Sequence, residues 1–121
     1  MQTIKAMQEA ERHNGPSIII AYCPCIEQGI KGGMTNSSDE EKKAVECGYV
    51  NLLRYNPQED KLYLDSKEPN FELYHDFLMN EVRYNSIFKK NPEVAQELLN
   101  LNKEEAKKRY DYYKKLSQKE D

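Results

Sequence analysis

The residues whose chemistry stands out are three thiols, Cys23, Cys25 and Cys47, in a chain of 121 residues. The first two flank Pro24 at the exit of an apolar run, SIIIAYCPCIEQGIKGG over residues 17–33. A thiolate there could ligate a metal or an iron–sulfur cluster, or take part in redox chemistry. It could also be a small packing residue, since cysteine is among the most buried residue types. Position favours chemistry at Cys25 more than at Cys23. Pro24 fixes φ and removes a donor, and Gly29, Gly32 and Gly33 let backbone N–H groups approach an anionic sulfur or phosphate. Cys23 lies nearer the apolar run and reads as packing. Cys47, in AVECGYV beside Ala44 and Val45, reads as a structural cysteine.

No other constellation competes. G-x-x-G-G at 29–33 lacks the P-loop lysine and the dinucleotide fingerprint. His13 and His75 are far apart and have no ligand-type company, so a zinc site is not expected; His75 reads as a partly exposed helical residue. An odd cysteine count suits neither a disulfide framework nor a four-thiolate site made by this chain alone.

The elements that must position these thiols follow from the pattern. Ile4, Met7 and Ala10 recur at three-residue spacing and predict a short amphipathic helix over 2–13, stopped by Asn14-Gly15-Pro16. Residues 17–22 form an unalternating β-branched run, the pattern of a strand buried on both faces inside a parallel sheet. The segment 23–33 then leaves the strand's carboxyl end, where ligands gather in open α/β sheets. Ser37 or Ser38 can cap a helix with Asp39, Glu40 and Glu41 in its first turn. That helix runs to about Cys47 and stops at Gly48.

YVNLLRY at 49–55 predicts another strand, Asn56-Pro57 a turn, and Lys61–Leu64 a short extended piece. From Phe71 onward the pattern is helical, in two or three pieces broken near Asn91-Pro92. Leu98, Leu99, Leu101, Ala106, Tyr110, Tyr113 and Leu116 supply its apolar stripe. One buried strand with uncertain neighbours cannot close a sheet, so the chain reads as part of something larger.

Composition agrees. Hydrophobic residues are 38% and charged residues 32%, with mean hydropathy −0.96; much of the chain must be solvated or lean on other protein. Net charge is −3, and residues 101–121 hold seven Lys/Arg against five Asp/Glu. Neither figure supports a nucleic-acid or anionic-membrane partner. The longest aliphatic run is residues 18–20, far short of a membrane span, and the N-terminus lacks a signal-peptide core. A cytoplasmic location is the resulting expectation.

Three stretches carry a family resemblance: HNGPSIIIAYCPCIEQGIKGGM (13–34), EEKKAVECGYVNLLRYNP (40–57) and LYLDSKEPNFELYHDFLMNEVRYNSIFKKNPEVA (62–95). In order and in spacing they resemble the C-terminal end of the single-chain pyruvate:ferredoxin (flavodoxin) oxidoreductases. The family patterns there are YAPC after a hydrophobic strand, AV.CGYW.L.RYNP, and LDSKEP followed by FL..E.RY. Cys23 stands where the family has alanine, and Val50 where it has tryptophan.

The resemblance implies an α/β fold class: residues 1–66 as the end of a thiamine-diphosphate-binding α/β domain, and 67–121 as a helical C-terminal tail. It implies an oxidoreductase that converts pyruvate and CoA to acetyl-CoA and CO2 and sends electrons to ferredoxin or flavodoxin. The implied cofactors are thiamine diphosphate with Mg2+ and [4Fe–4S] clusters. Cys25, at the YAPC cysteine, is implied as the sequence-distant fourth ligand of one cluster. No catalytic residue falls within the chain; the other ligands and the diphosphate motif belong to the remainder of the oxidoreductase, a homodimer in the family. The chain alone is expected to be inactive. Two other readings remain: a non-enzymatic α/β interaction module, and a small independent iron–sulfur protein using Cys23, Cys25 and Cys47 together.

Overall fold

In a computed structural model of the chain, residues 1–27 and 29–118 are described. Gln28, in the predicted glycine-bearing loop, and residues 119–121, at the end of the predicted charged tail, lie outside the described residues. The described residues form a small α/β body with a helical C-terminal region.

Helix α1, Gln2–Arg12, is amphipathic as its spacing predicts, and buries none of its residues. It ends at His13, and the chain then runs without helix or strand to Cys25. Here the structure departs from the sequence pattern. Residues 17–22 adopt no regular secondary structure and join no sheet, and Ile18 and Ile20 are 87% and 93% exposed. An extended backbone becomes a sheet strand only beside another strand that pairs its N–H and C=O groups. Among the described residues one sheet exists, and its two strands pair with each other. The interior position in a parallel sheet is therefore not realised in this chain.

A 3₁₀ turn at Met34–Asn36 leads into α2, Ser37–Glu46. Neither predicted serine caps it: Asn36 takes the cap position, and its side-chain Nδ2 donates to the Gly32 carbonyl at 2.8 Å. The predicted stop is present. Gly48 has φ +83°, and Gly48 N–H donates to Val45 O at 3.2 Å. A Cβ at Gly48 would lie 2.7 Å from Phe71 and 2.9 Å from Pro69.

Strands β1, Leu53–Asn56, and β2, Lys61–Leu64, form an antiparallel hairpin with Leu53 opposite Leu64 and Arg54 opposite Tyr63. Strand β1 begins later than predicted, because the chain first leaves α2 through the Gly48 turn. Helices α3 (Tyr74–Asn80), α4 (Val82–Lys90) and α5 (Pro92–Ser117) follow. The α4/α5 break falls at Asn91-Pro92 as expected, with Asn91 Oδ1 accepting from Val94 N–H at 3.4 Å.

One buried cluster joins these pieces: Ala44 and Cys47 from α2, Tyr74, Phe77 and Leu78 from α3, and Leu99 and Ala106 from α5. The predicted stripe of α5 is only partly buried. Leu99, Ala106 and Tyr110 are inside, while Leu98 and Leu101 are 50% and 57% exposed. Arg109 Nη2 donates to the Tyr49 carbonyl at 2.9 Å, fastening α5 to the turn after α2. No described helix is long and apolar enough to cross a membrane.

Candidate functional site

Cys25 lies on the surface, on a loop with a fastening on each side. The upstream fastening is aromatic. Tyr22 packs edge-on against Tyr49 with ring centroids 5.9 Å apart, and Tyr49 meets Phe77 at 4.9 Å. The hydroxyls of Tyr49 and Tyr84 lie 3.0 Å apart. Burial is the main cause that raises the phenol pKa values of Tyr22 and Tyr49 far above the ordinary value, so both rings stay neutral. Pro24, between the two thiols, is buried.

The downstream fastening is backbone. Gly29 N–H donates to the Cys25 carbonyl at 2.8 Å, closing a turn, and Gly29 has φ +70°. Ile30, only 6% exposed, then forms an antiparallel bridge with Glu81, at the junction of α3 and α4. Lys31 N–H donates to Asn80 O at 2.7 Å, and Val82 N–H to Gly29 O at 3.4 Å. Asn80 is itself held, its Nδ2 donating to Glu40 Oε2 at 3.1 Å. The Glu40 carboxylate sits in α2 at 1% exposure, with Lys43 Nζ 3.7 Å from Oε2. Oε1 of Glu40 and Oε1 of Glu81 are buried without a hydrogen-bond partner among the described residues. Burial, with the Glu40 charge added, raises the pKa of Glu81 above the ordinary carboxylate value.

The three cysteines part company. Cys47 is fully buried, with its thiol directed at Ala44 O 3.6 Å away, and burial pushes its pKa up to about 11. It is the structural cysteine that its neighbours predicted. Cys23 differs from expectation: it is exposed instead of packed, its Sγ 3.5 Å from the Pro24 carbonyl, because the strand it would help bury stands out in solvent. Among the described residues no group of three or more His, Cys, Asp or Glu could hold a metal ion, so a site made from all three thiols is not formed. His75 lies on α3 with its side chain 49% exposed, as expected.

As a donor set this chain offers two exposed thiols, Cys23 and Cys25, and only Cys25 stands at the head of the fastened loop. That fits a cluster only as a single ligand added to others from elsewhere. Sequence reasoning missed the supports: Tyr22, Tyr49, Glu40, Asn80 and Glu81. Glu40 carried a readable signal, since Glu40, Ala44 and Cys47 are spaced i, i+4, i+7 and share one helix face. A carboxylate on the apolar stripe of a helix is unusual enough to mark. Glu81 carried none, because nothing in the sequence announces the α3/α4 break.

A thiol carried on a doubly fastened loop defines a class of site, a sulfur exposed at the surface of a small α/β body. Comparison supplies the particular family. The chain is 48% identical over 122 residues to the pyruvate:ferredoxin oxidoreductase of Moorella thermoacetica, covering 97% of this chain and 10% of that protein. It is 45% identical over 121 residues to the pyruvate-flavodoxin oxidoreductase of Klebsiella pneumoniae, covering 96% and 10%. The mitochondrial NADP(+)-dependent pyruvate dehydrogenase of Euglena gracilis is 33% identical over 120 residues, covering 95% and 7%. No family model matches. Over nearly its whole length the chain is thus homologous to one segment of the pyruvate-flavodoxin/ferredoxin oxidoreductases, and it spans about a tenth of the length of these curated relatives. The homologous full-length proteins are oxidoreductases.

Proposed function

We propose that this chain is a working part of a pyruvate:ferredoxin/flavodoxin oxidoreductase, and that Cys25 is its contribution to the chemistry. In this reading residues 1–66 end the thiamine-diphosphate-binding α/β domain and 67–121 are its helical C-terminal tail. The other partners are the remainder of the oxidoreductase, pyruvate, CoA, and ferredoxin or flavodoxin. The full-length protein is a homodimer holding thiamine diphosphate, Mg2+ and [4Fe–4S] clusters. When bound, these cofactors supply carbanion stabilisation and one-electron transfer, while the protein supplies position and surroundings.

The observation that carries the reading is the nearly complete match to one segment of those enzymes together with an outward-facing Cys25. Two features of the chain suit it. Residues 17–22 are an exposed apolar run outside any helix or strand, free to join a sheet made by other protein, and the Cys25 loop follows at the carboxyl end of that segment. The residues of this chain perform three tasks. Cys25 donates a thiolate, Tyr22 and Pro24 anchor its upstream side, and Ile30 anchors its downstream side.

The test is made in the long enzyme that carries this segment. Cys25→Ala should lose the iron of one cluster and its pyruvate-dependent electron transfer, whereas Cys23→Ala should keep both. Full iron content with unchanged potentials in the Cys25 variant would overturn the assignment. Expressed alone, the 121-residue chain should show no pyruvate- and CoA-dependent dye reduction.

A further inference from the structure

The bond between Glu40 and Asn80 spans two helices and stands one step behind the Cys25 loop. Glu40 is a poor choice for stability. Its carboxylate is 1% exposed, Oε1 has no hydrogen-bond partner among the described residues, and Lys43 Nζ is 3.7 Å away. Burying a charge with an unsatisfied oxygen disfavours folding, and an apolar side chain of similar volume would pack there at lower cost. What the carboxylate does supply is direction. Oε2 accepts from Asn80 Nδ2, and the backbone carbonyl of that same Asn80 accepts from Lys31 N–H at 2.7 Å. The next residue, Glu81, bridges Ile30, and Val82 N–H reaches Gly29 O. Gly29 N–H in turn closes on the Cys25 carbonyl.

We infer that Glu40 is a positioning residue for the Cys25 thiolate, acting through Asn80 and the 29–31 bridge to set where the loop presents its sulfur. This rests on the reading of Cys25 as a ligand. Glu40 acts by fixing the short ladder on which the loop ends. Because α2 and its cap residue place Ala44 and Cys47 in the core cluster, Glu40 ties the thiol's position to the buried part of the body.

The distinguishing measurement separates loop position from global stability. In this chain, E40L and N80L should speed hydrogen exchange at the Lys31 and Gly29 amides about fivefold, the loss expected for one net hydrogen bond, relative to α5 core amides in the same sample. E40Q keeps a side-chain oxygen able to accept from Asn80 and should restore wild-type exchange. In the long enzyme, E40L should shift the midpoint potential of the cluster that Cys25 serves and leave the others in place, again with rescue by E40Q. Unchanged loop exchange in a folded E40L or N80L would overturn the inference. So would E40Q behaving like E40L, and so would loss of native near-ultraviolet circular dichroism in both E40L and N80L, which would make the pair a core requirement. If Cys25→Ala keeps all iron, the ligand reading fails separately, because amide exchange reports on the loop without any cluster.

Discussion

Removing the Arg54 guanidinium should release α1 and, with it, the segment that leads into Cys25. Helix α1 buries none of its residues, so its attachment to the body is polar. Arg54 is the centre of that attachment, with a side chain 7% exposed. Nε donates to Asp65 Oδ2 at 2.6 Å and Nη2 to Oδ1 at 2.9 Å, a bidentate pair across the hairpin. Nη1 donates to both oxygens of Glu9 on α1, at 2.6 and 2.5 Å. The guanidinium also lies 4.8 Å from the centroid of the Tyr63 ring. The two legs differ in burial, and burial decides their worth. Asp65 is 19% exposed and Glu9 42%.

Breaking a buried pair by deleting one partner costs about 3–5 kcal/mol, while an exposed pair contributes about 0–1 kcal/mol. Asp65 would keep one donor, Gln2 Nε2 at 3.2 Å, which lowers the penalty toward the bottom of that range. Arg54→Met, which keeps most of the apolar stem, should therefore destabilise the protein by about 3 kcal/mol. Glu9→Gln should cost about 0.5 kcal/mol. Urea unfolding at pH 7 measures both, and a double-mutant cycle of Arg54→Met with Asp65→Asn should return a coupling of about 2 kcal/mol.

The pH dependence has a definite sign. Arg54 holds the Asp65 carboxyl below its ordinary value of 3.8, so its stabilisation is present above that pH and fades as pH falls through the folded-state value. Arg54→Met should flatten this acid limb. A loss below 1 kcal/mol, or a coupling near zero, would refute the reading of Arg54–Asp65 as a buried pair, and unchanged amide exchange across α1 in Arg54→Met would refute the attachment of α1 through Arg54.

Other expectations follow from single positions. Gly48→Ala should cost about 2–4 kcal/mol in thermal unfolding, because it adds left-handed strain to a Cβ pressed on Phe71 and Pro69. Glu81→Gln should raise stability at pH 7. Its folded-state pKa lies above the ordinary 4.5, so wild-type stability falls as pH rises through that titration, and the amide should abolish the fall in urea unfolding at stepped pH. Lysine at both Ile18 and Ile20 should leave the unfolding midpoint of this chain within about 0.5 kcal/mol of wild type. It should also suppress concentration-dependent association in sedimentation velocity, since both side chains stand in solvent. At pH 8, iodoacetamide should alkylate Cys23 and Cys25 in the folded chain and reach Cys47 only after denaturation, because Cys47 is fully buried with a pKa near 11.

Local signals were legible where local physics decides. The Asn14-Gly15-Pro16 stop, the Gly48 turn, the Asn91-Pro92 break and the hairpin around Asn56-Pro57 depend on φ preferences and missing donors within a few residues, and each stands where the sequence places it. The α2 cap did not. Two serines compete on composition alone, but the chain is already turning at Met34–Asn36, so neither hydroxyl is needed. The α5 stripe was half right for a related reason. Periodicity marks a face as apolar without saying what covers it, and Leu98 and Leu101 lie beside the face that Leu99 and Ala106 bury.

Residues 17–22 show where pattern and structure part. An unalternating β-branched run reports the environment in which a strand is stable, with protein on both faces and both edges. It does not bring that environment with it. The chain satisfies what it can: Ser17 Oγ donates to Ala10 O at 3.1 Å, Tyr22 docks on Tyr49, and the three isoleucines between remain outside. Burying Ile18 and Ile20 beside a partner sheet would contribute about 1.5–3 kcal/mol for each side chain. No contact within the described residues supplies this. Cys25 follows directly on that segment, and its downstream side is already fixed by the Ile30–Glu81 bridge. Whatever sheet accepts residues 17–22 therefore completes the placement of the thiol. The Glu40–Asn80 support and the waiting strand act on opposite sides of the same sulfur. An E40L variant should accordingly disturb the long enzyme less than Ile18→Lys with Ile20→Lys, since the first leaves residues 17–22 able to enter a partner sheet and the second blocks it with two charges; iron content per polypeptide ranks the two, and the reverse order would refute the two-sided account.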